Sequence, residues 1–346
     1  MKRKKWLNLI CNLFFVSMIG FAFICAKSVS QEDDINVEKE KFVILEENSE
    51  ISALYFDGNK MWVGTNKGVK IYDPQTLQPE KNLDDIEMVY SAEITRSNDE
   101  CIWIGYEKGL AQIKPSGERI TYQYPDIASG RVNTVLYDDE KIWCGTYNGA
   151  SVLELKDGLW KVKQHLDIND GLCSDSVNTI IQVQNGILLG SYLDTVNGGI
   201  TFIRDDGKIQ LIRKEQGLPH PYITSMLELP SGEVLVGTGY MEDGGLAVLT
   251  FENGEYQIKE TLNVESGMPG EKIRYLFYSD HHIFITTEYD GILIVNEKDF
   301  QQRNFENSVY LREENGLSDN EIKCVAESDK YYWLGGKYGL TLIEKE

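Results

Sequence analysis

The stretch Ile51-Ser-Ala-Leu-Tyr-Phe56, Asp57-Gly-Asn-Lys60, Met61-Trp-Val-Gly-Thr65, Asn66-Lys67, Gly68-Val-Lys-Ile-Tyr72 carries the pattern that decides the fold. It reads as an alternating strand, a polar turn, an apolar strand closing on Gly, a second turn, another Gly and a third strand. The pattern returns around Ile102-Trp-Ile-Gly105 with Gly109, Ile142-Trp-Cys-Gly145 with Gly149, and Leu188-Leu-Gly190 with Gly199. Three further copies centre on Leu235-Val-Gly237 with Gly245, a degenerate Phe284-Ile-Thr286 with Gly291, and Trp333-Leu-Gly335 with Gly339. From Trp62 to Trp333 the steps are 41, 40, 45, 47, 49 and 49 residues. A period in the forties with about four strands per unit is the signature of a β-propeller. The expected fold is therefore all-β: a seven-bladed β-propeller over residues 41–346.

The unit makes physical sense only in such a ring. Its first strand alternates, as Val132, Thr134 and Leu136 against Asn133 show, while its second strand is apolar on both faces and needs a sheet on either side. The Trp or Leu fills the gap between blades, and the Gly after it lets chains approach closely. The later Gly supplies positive φ between the second and third strands. The last copy stops after its third strand, at Gly339-Leu-Thr-Leu-Ile343, and the unassigned strand Lys41-Phe-Val-Ile-Leu45 precedes the first copy. The N-terminal strand is expected to complete the last blade, removing an exposed sheet edge.

Composition agrees and excludes some partners. Hydrophobic residues make up 42% of the 346, enough for a large core, and the net charge is −21. An acidic body repels phosphate backbones and anionic lipid, which argues against nucleic-acid binding and peripheral membrane docking. The first 30 residues differ: Lys2, Arg3, Lys4, Lys5 and Lys27 are basic, none is acidic, and Trp6 to Ala26 is largely apolar. This is the layout of a cleaved signal peptide or a retained membrane anchor, followed by a polar tether over 31–40. Either way the body is expected outside the cytoplasm, as a periplasmic, secreted or cell-surface protein, touching the membrane only through that segment. Cys101, Cys144, Cys173 and Cys324 are too few for a disulfide scaffold and read as buried thiols.

With the repeats in register, a family resemblance emerges. Met61-Trp-Val-Gly-Thr-Asn-Lys-Gly-Val69, Lys141-Ile-Trp-Cys-Gly-Thr-Tyr-Asn-Gly149 and Tyr332-Trp-Leu-Gly-Gly-Lys-Tyr-Gly-Leu340 resemble the bacterial two-component regulator propeller repeat. The linkers Asp170-Gly-Leu172, Gln216-Gly-Leu218 and Asn315-Gly-Leu-Ser-Asp319 fit its lead-in to the next first strand. The resemblance implies an extracytoplasmic sensor propeller for ligands such as glycan fragments. These residues hold no kinase, connector or second propeller, so ligand capture or partner binding carries over as the expectation and phosphotransfer does not.

A site is expected on the face that gathers the turns between second and third strands with the linkers into each first strand, here termed the top face. Two of its turns, Ser191–Gly198 and Thr238–Gly244 in blades four and five, are longer than the rest. Tyrosine falls in this turn in six copies, as Tyr106, Tyr147, Tyr192, Tyr240, Tyr289 and Tyr338. With Asn148, Asp194, Asn197, Glu242, Asp243 and Asp290 they offer stacking faces and hydrogen-bonding groups suited to a sugar or peptide. The second residue of each first strand (Ser52, Tyr90, Asn133, Asn178, Thr224, Arg274, Lys323) is expected to face the channel. Arg131, Arg274 and Lys323 are candidate cations for a carboxylate or sulfate, and His220 and Tyr222 sit in a top-face linker.

No HExxH, GxxxxGK[ST], GxSxG or zinc-spaced Cys pair occurs, and no cofactor or metal is expected. The expectation is an exported, non-enzymatic binding propeller for an oligosaccharide or similar polar ligand. Two alternatives stay open: a cell-surface propeller docking an envelope or sensor protein, and a propeller lyase or hydrolase, since acidic chains readily supply carboxylate pairs.

Overall fold

The computed structural model describes residues 42–87 and 93–345. The basic and apolar N-terminal segment, the tether and Tyr90 lie outside the described residues. Among the described residues seven four-stranded antiparallel sheets follow one another around a ring. Blade 1 runs Ile51–Phe56, Met61–Thr65, Gly68–Tyr72 and Pro79–Leu83 from the axis outward, and the other blades repeat that order. The fourth position of the last blade is taken by Phe42–Leu45, paired antiparallel with Leu340–Glu344 in the register Phe42↔Ile343 to Leu45↔Leu340. Each inner strand touches those of both neighbouring blades, and the last touches the first.

The repeated residues hold the blades together in the manner their types require. Trp62, Trp103, Trp143 and Trp333 are buried between adjacent sheets. Each indole Nε1–H is satisfied from the polar turn just before it: Trp62 donates to Asp57 (2.8 Å), Trp103 to Ser97 (2.9 Å), Trp143 to Asp138 (2.7 Å) and Trp333 to Ser328 (3.0 Å). The Gly that follows faces the next blade's inner strand. A Cβ on Gly145 would stand 2.7 Å from Val177 Cγ1, and one on Gly190 2.6 Å from Ile223 Cγ2, so no larger residue fits. Gly68, Gly109, Gly149, Gly199, Gly245 and Gly291 lie at or beside the start of the third strands with positive φ, whereas Gly339 does not have it. The four cysteines are free and buried.

Two features add to the expectations. Ser52, Asn133, Asn178, Thr224, Arg274 and Lys323, expected to line the channel, are the residues skipped at a register shift in six of the seven inner strands, for example between Val132 and Thr134 and between Val177 and Thr179. The resulting bulge aims them at the next blade. Asn133 donates to the Val177 carbonyl (3.0 Å), Asn178 to that of Ile223 (3.1 Å) and Thr224 to that of Ile273 (2.6 Å). They are stitches between blades as well as channel lining. The second concerns the long turn of blade 5. Its strands, Val234–Tyr240 and Asp243–Glu252, stay paired up to Tyr240↔Asp243, leaving Met241 and Glu242 as a two-residue tip. This is a stiff extended hairpin rather than a loop.

Candidate functional site

At the top of blades 1, 4, 5, 6 and 7 one further hydrogen bond lies beyond the inner pair of strands. The N–H groups of Asn66, Tyr192, Gly239, Glu288 and Lys337 donate to the carbonyls of Glu50, Ser176, Tyr222, Lys272 and Glu321, at 3.0–3.3 Å. This rung stands two side chains per blade at the rim of the axis. Between them lies a cavity of about 590 Å³, lined by Glu50, Arg131, Tyr147, Asn178, Tyr192, Leu193, Tyr240, Lys272, Arg274, Glu288, Glu321, Lys323 and Lys337. That volume is in the range of small-ligand pockets.

Blades 4 and 5 supply its aromatic wall. Gly198 lies where a Cβ would meet the Pro221 carbonyl at 2.7 Å, so the blade 4 loop settles on the linker and sets Tyr192 4.8 Å from the Tyr222 ring. Gly239 and Gly244 let the blade 5 hairpin lie against Glu271 and Lys272, and Tyr240 meets Tyr222 edge-on at 5.6 Å. Lys272 closes the cluster. Its ammonium stands 5.9 Å from the ring centres of both Tyr192 and Tyr240, donates to the Tyr192 hydroxyl (3.3 Å) and pairs with Glu288. Burial raises the Tyr192 phenol pKa above its usual range. Burial also pushes the Glu288 carboxyl up, but the hydrogen bond and charge of Lys272 outweigh it and hold Glu288 below the usual carboxylate range.

Of the residues singled out from sequence, Tyr147, Asn178, Tyr192, Tyr240, Arg131, Arg274 and Lys323 line this cavity. Arg131 pairs with Glu107 at 3.3 Å and its guanidinium stands 4.9 Å from the centre of the Tyr147 ring. The others are placed elsewhere. His220 and Tyr222 are buried beneath the wall: the Tyr222 N–H donates to His220 Nδ1 (3.1 Å), and burial lowers the imidazole pKa. Asn148 ties its turn to the Ala128 carbonyl (3.1 Å), and Asp194 accepts the N–H groups of Val196 and Asn197 within its own loop. Glu242, Asp243 and Asn197 are exposed at loop tips. Tyr289 donates to Glu288 (2.9 Å) from outside the cavity, and Asp290 pairs with Arg312 at 3.4 Å. Tyr106 is a core residue of blades 1 and 2 and takes no part in a tyrosine ring.

Lys272, Glu288, Glu50, Glu321 and Lys337 were not among the residues singled out from sequence. The signal was positional: they precede the inner strand or follow the second strand, one place from where the repeat looks conspicuous. Below the cavity the axis narrows to a waist lined by Ser52, Glu93, Asn178, Arg274, Tyr275 and Lys323, among others. There the Glu93 carboxylate accepts from the Thr134 hydroxyl (2.7 Å) and the Val135 N–H (3.2 Å), and burial raises its pKa to about 7. Among the described residues no group of three His, Cys, Asp or Glu is placed to hold a metal ion.

The architecture is matched by solved structures at low sequence identity. The extracellular domain of a hybrid two-component system from B. thetaiotaomicron superposes with a TM-score of 0.72 at 18% identity, over 88% of this chain and 41% of that one. The shared feature is the seven-bladed β-propeller fold. Virginiamycin B lyase from Staphylococcus aureus matches with a TM-score of 0.63 at 12% identity, over 88% of this chain and 99% of the lyase. PorZ, a surface component of the type-IX secretion system of Porphyromonas gingivalis, matches at 0.58 and 14%, over 84% of this chain and 46% of PorZ. This chain spans about two-fifths of the length of the sensor domains it resembles. No protein-family model matches the sequence, and no curated protein does.

Proposed function

We propose that the chain is an exported, non-enzymatic sensor-type propeller that captures an oligosaccharide or similar polar ligand in the top-face cavity. The observation that carries this reading is the cavity's construction. Two blades depart from the repeat, in a longer loop and an extended hairpin, and both departures bring a tyrosine to the same wall above Lys272. Planar aromatic faces beside fixed charges suit a sugar ring with its hydroxyls. The basic and apolar N-terminus supports export, and the extracellular placement of the similar sensor domains is consistent with it. Within the cavity lining Glu288 is held below the usual range by Lys272, unlike a general acid, and the raised carboxyl of Glu93 lies in the waist below that lining, which supports a binding role over glycoside cleavage.

A thermal-shift screen of the protein against oligosaccharides tests the reading. A ligand at a hundred times its dissociation constant adds about 2.7 kcal/mol, visible as a rise in Tm. The pair Tyr147→Ala and Tyr240→Ala, both at exposed positions, is expected to abolish that rise while leaving the unliganded Tm within about 1 °C, as surface substitutions do. An undiminished rise in the double variant moves the site away from this face.

One observation favours a protein partner as a second reading. Leu193, Val196 and Met241 are each more than half exposed on the same two departures, and Leu193 and Met241 sit at positive φ, which holds their apolar side chains out. Capture of an envelope protein that is unaffected by sugars and lost in Leu193→Ser with Met241→Ser would support that reading instead.

A further inference from the structure

The top-face cavity has the opposite sign to the protein that carries it. The chain's net charge is −21, yet the cavity is lined by five cations against three carboxylates. Two of those carboxylates are taken up by tight pairs, Glu288 with Lys272 and Glu50 with Lys323, each lysine side chain being only 5% exposed. The third, Glu321, is shared among three cations. It lies 3.6 Å from Arg274, 3.5 Å from Lys323 and 3.9 Å from Lys337, closer than hydrogen-bond range to none of them. The Arg274 Nε is buried and has no hydrogen-bond acceptor. Arg131 is balanced by Glu107 from outside the cavity, so the surplus positive charge sits on the Arg274 and Lys337 side. Like charges gathered in a concave site raise one another's energy and draw in a counter-ion. A guanidinium beside an ammonium is also the donor set that recognises a carboxylate or sulfate.

We propose that the ligand of this cavity is an acidic saccharide. Its carboxylate or sulfate is held by Arg274 and Lys337, and its neutral rings lie along Tyr192 and Tyr240. The inference rests on the reading of the cavity as the ligand site and adds the charge class of what it takes.

The test is calorimetric titration of the full chain, solubilised in detergent, with trigalacturonate, a sulfated chondroitin disaccharide and neutral galactotriose, at low and at physiological salt. At least one acidic sugar is expected to bind about tenfold or more tightly than the neutral one, and to weaken as salt rises. Trigalacturonate carries carboxylates alone and the chondroitin disaccharide carries both groups, so binding of the first shows that a carboxylate suffices and binding of the second alone points to the sulfate. Arg274→Gln should weaken that binding at least tenfold. Lys337→Gln, at a half-exposed position where the fold is not at stake, should weaken it severalfold with an unchanged Tm. Equal or tighter binding of galactotriose, or acidic binding untouched by both variants, overturns the acidic class while leaving the cavity reading standing. Failure of all three sugars to bind overturns both.

Discussion

Replacing Trp143 with Ala is expected to destabilise the protein by about 3–5 kcal/mol, the usual cost of a large-to-small change at a buried aromatic. The side chain is 6% exposed and packs with Val152, Ile180 and Leu189 across the junction of blades 3 and 4. Removal leaves a void between two sheets that cannot collapse independently, because each is also braced by its other neighbour. It also strips Asp138 of the indole N–H at 2.7 Å. Trp143→Phe refills most of the volume without that donor and should fall between wild type and Ala. Chemical denaturation monitored by circular dichroism measures all three, and a Trp143→Ala variant with wild-type stability would contradict the packing described here.

The second large effect concerns pH. With Glu93 raised by burial from 4.5 to about 7, the native state keeps a proton that the unfolded chain releases. Stability therefore falls as pH rises between those values, and above pH 7 the full penalty for a buried carboxylate is present. A shift of that size corresponds to roughly 2–3 kcal/mol once water in the adjoining channel is allowed for. Glu93→Gln keeps an acceptor for the Thr134 hydroxyl and the Val135 N–H and removes the charge. The variant should be more stable than wild type by that amount at pH 8, by less at pH 6, and by nothing at pH 4. Melting curves at the three pH values decide it: a gain that is the same at all of them would assign the effect to packing.

These two residues show what could and could not be read in advance. Trp143 was legible because the blade repeats, and a Trp, a Gly and a turn recurring in register define a wall between sheets whatever the individual propensities. Glu93 was not, since its equivalents in other blades are Thr134, Thr179 and Tyr275, and nothing in a single copy says that one is a carboxyl. The candidate site divides similarly. Tyr147, Tyr192 and Tyr240 stand out as aromatics in polar turns, and Arg131 and Arg274 as cations in an acidic chain. Lys272 escaped notice because its importance comes from a neighbouring blade's hairpin leaning over it, a contact that no spacing within one repeat encodes. The Asx-type capping by Asp194 and the burial of His220 were hidden for a related reason: a polar residue in a loop often serves the loop's own backbone first.

The pairing of Phe42–Leu45 with Leu340–Glu344 has a consequence for the order of events during synthesis. The strand Phe42–Leu45 is partnered by one roughly 300 residues later, so its hydrogen bonds wait until the seventh blade has been made. A chain cut short in its final blade keeps two bare edges, one at each end of the same gap. Such edges recruit other strands, and truncated products are therefore marked for aggregation or proteolysis while finished ones are not. The clasp that holds the ring also works as a check on length, passed only by a chain made through its seventh blade.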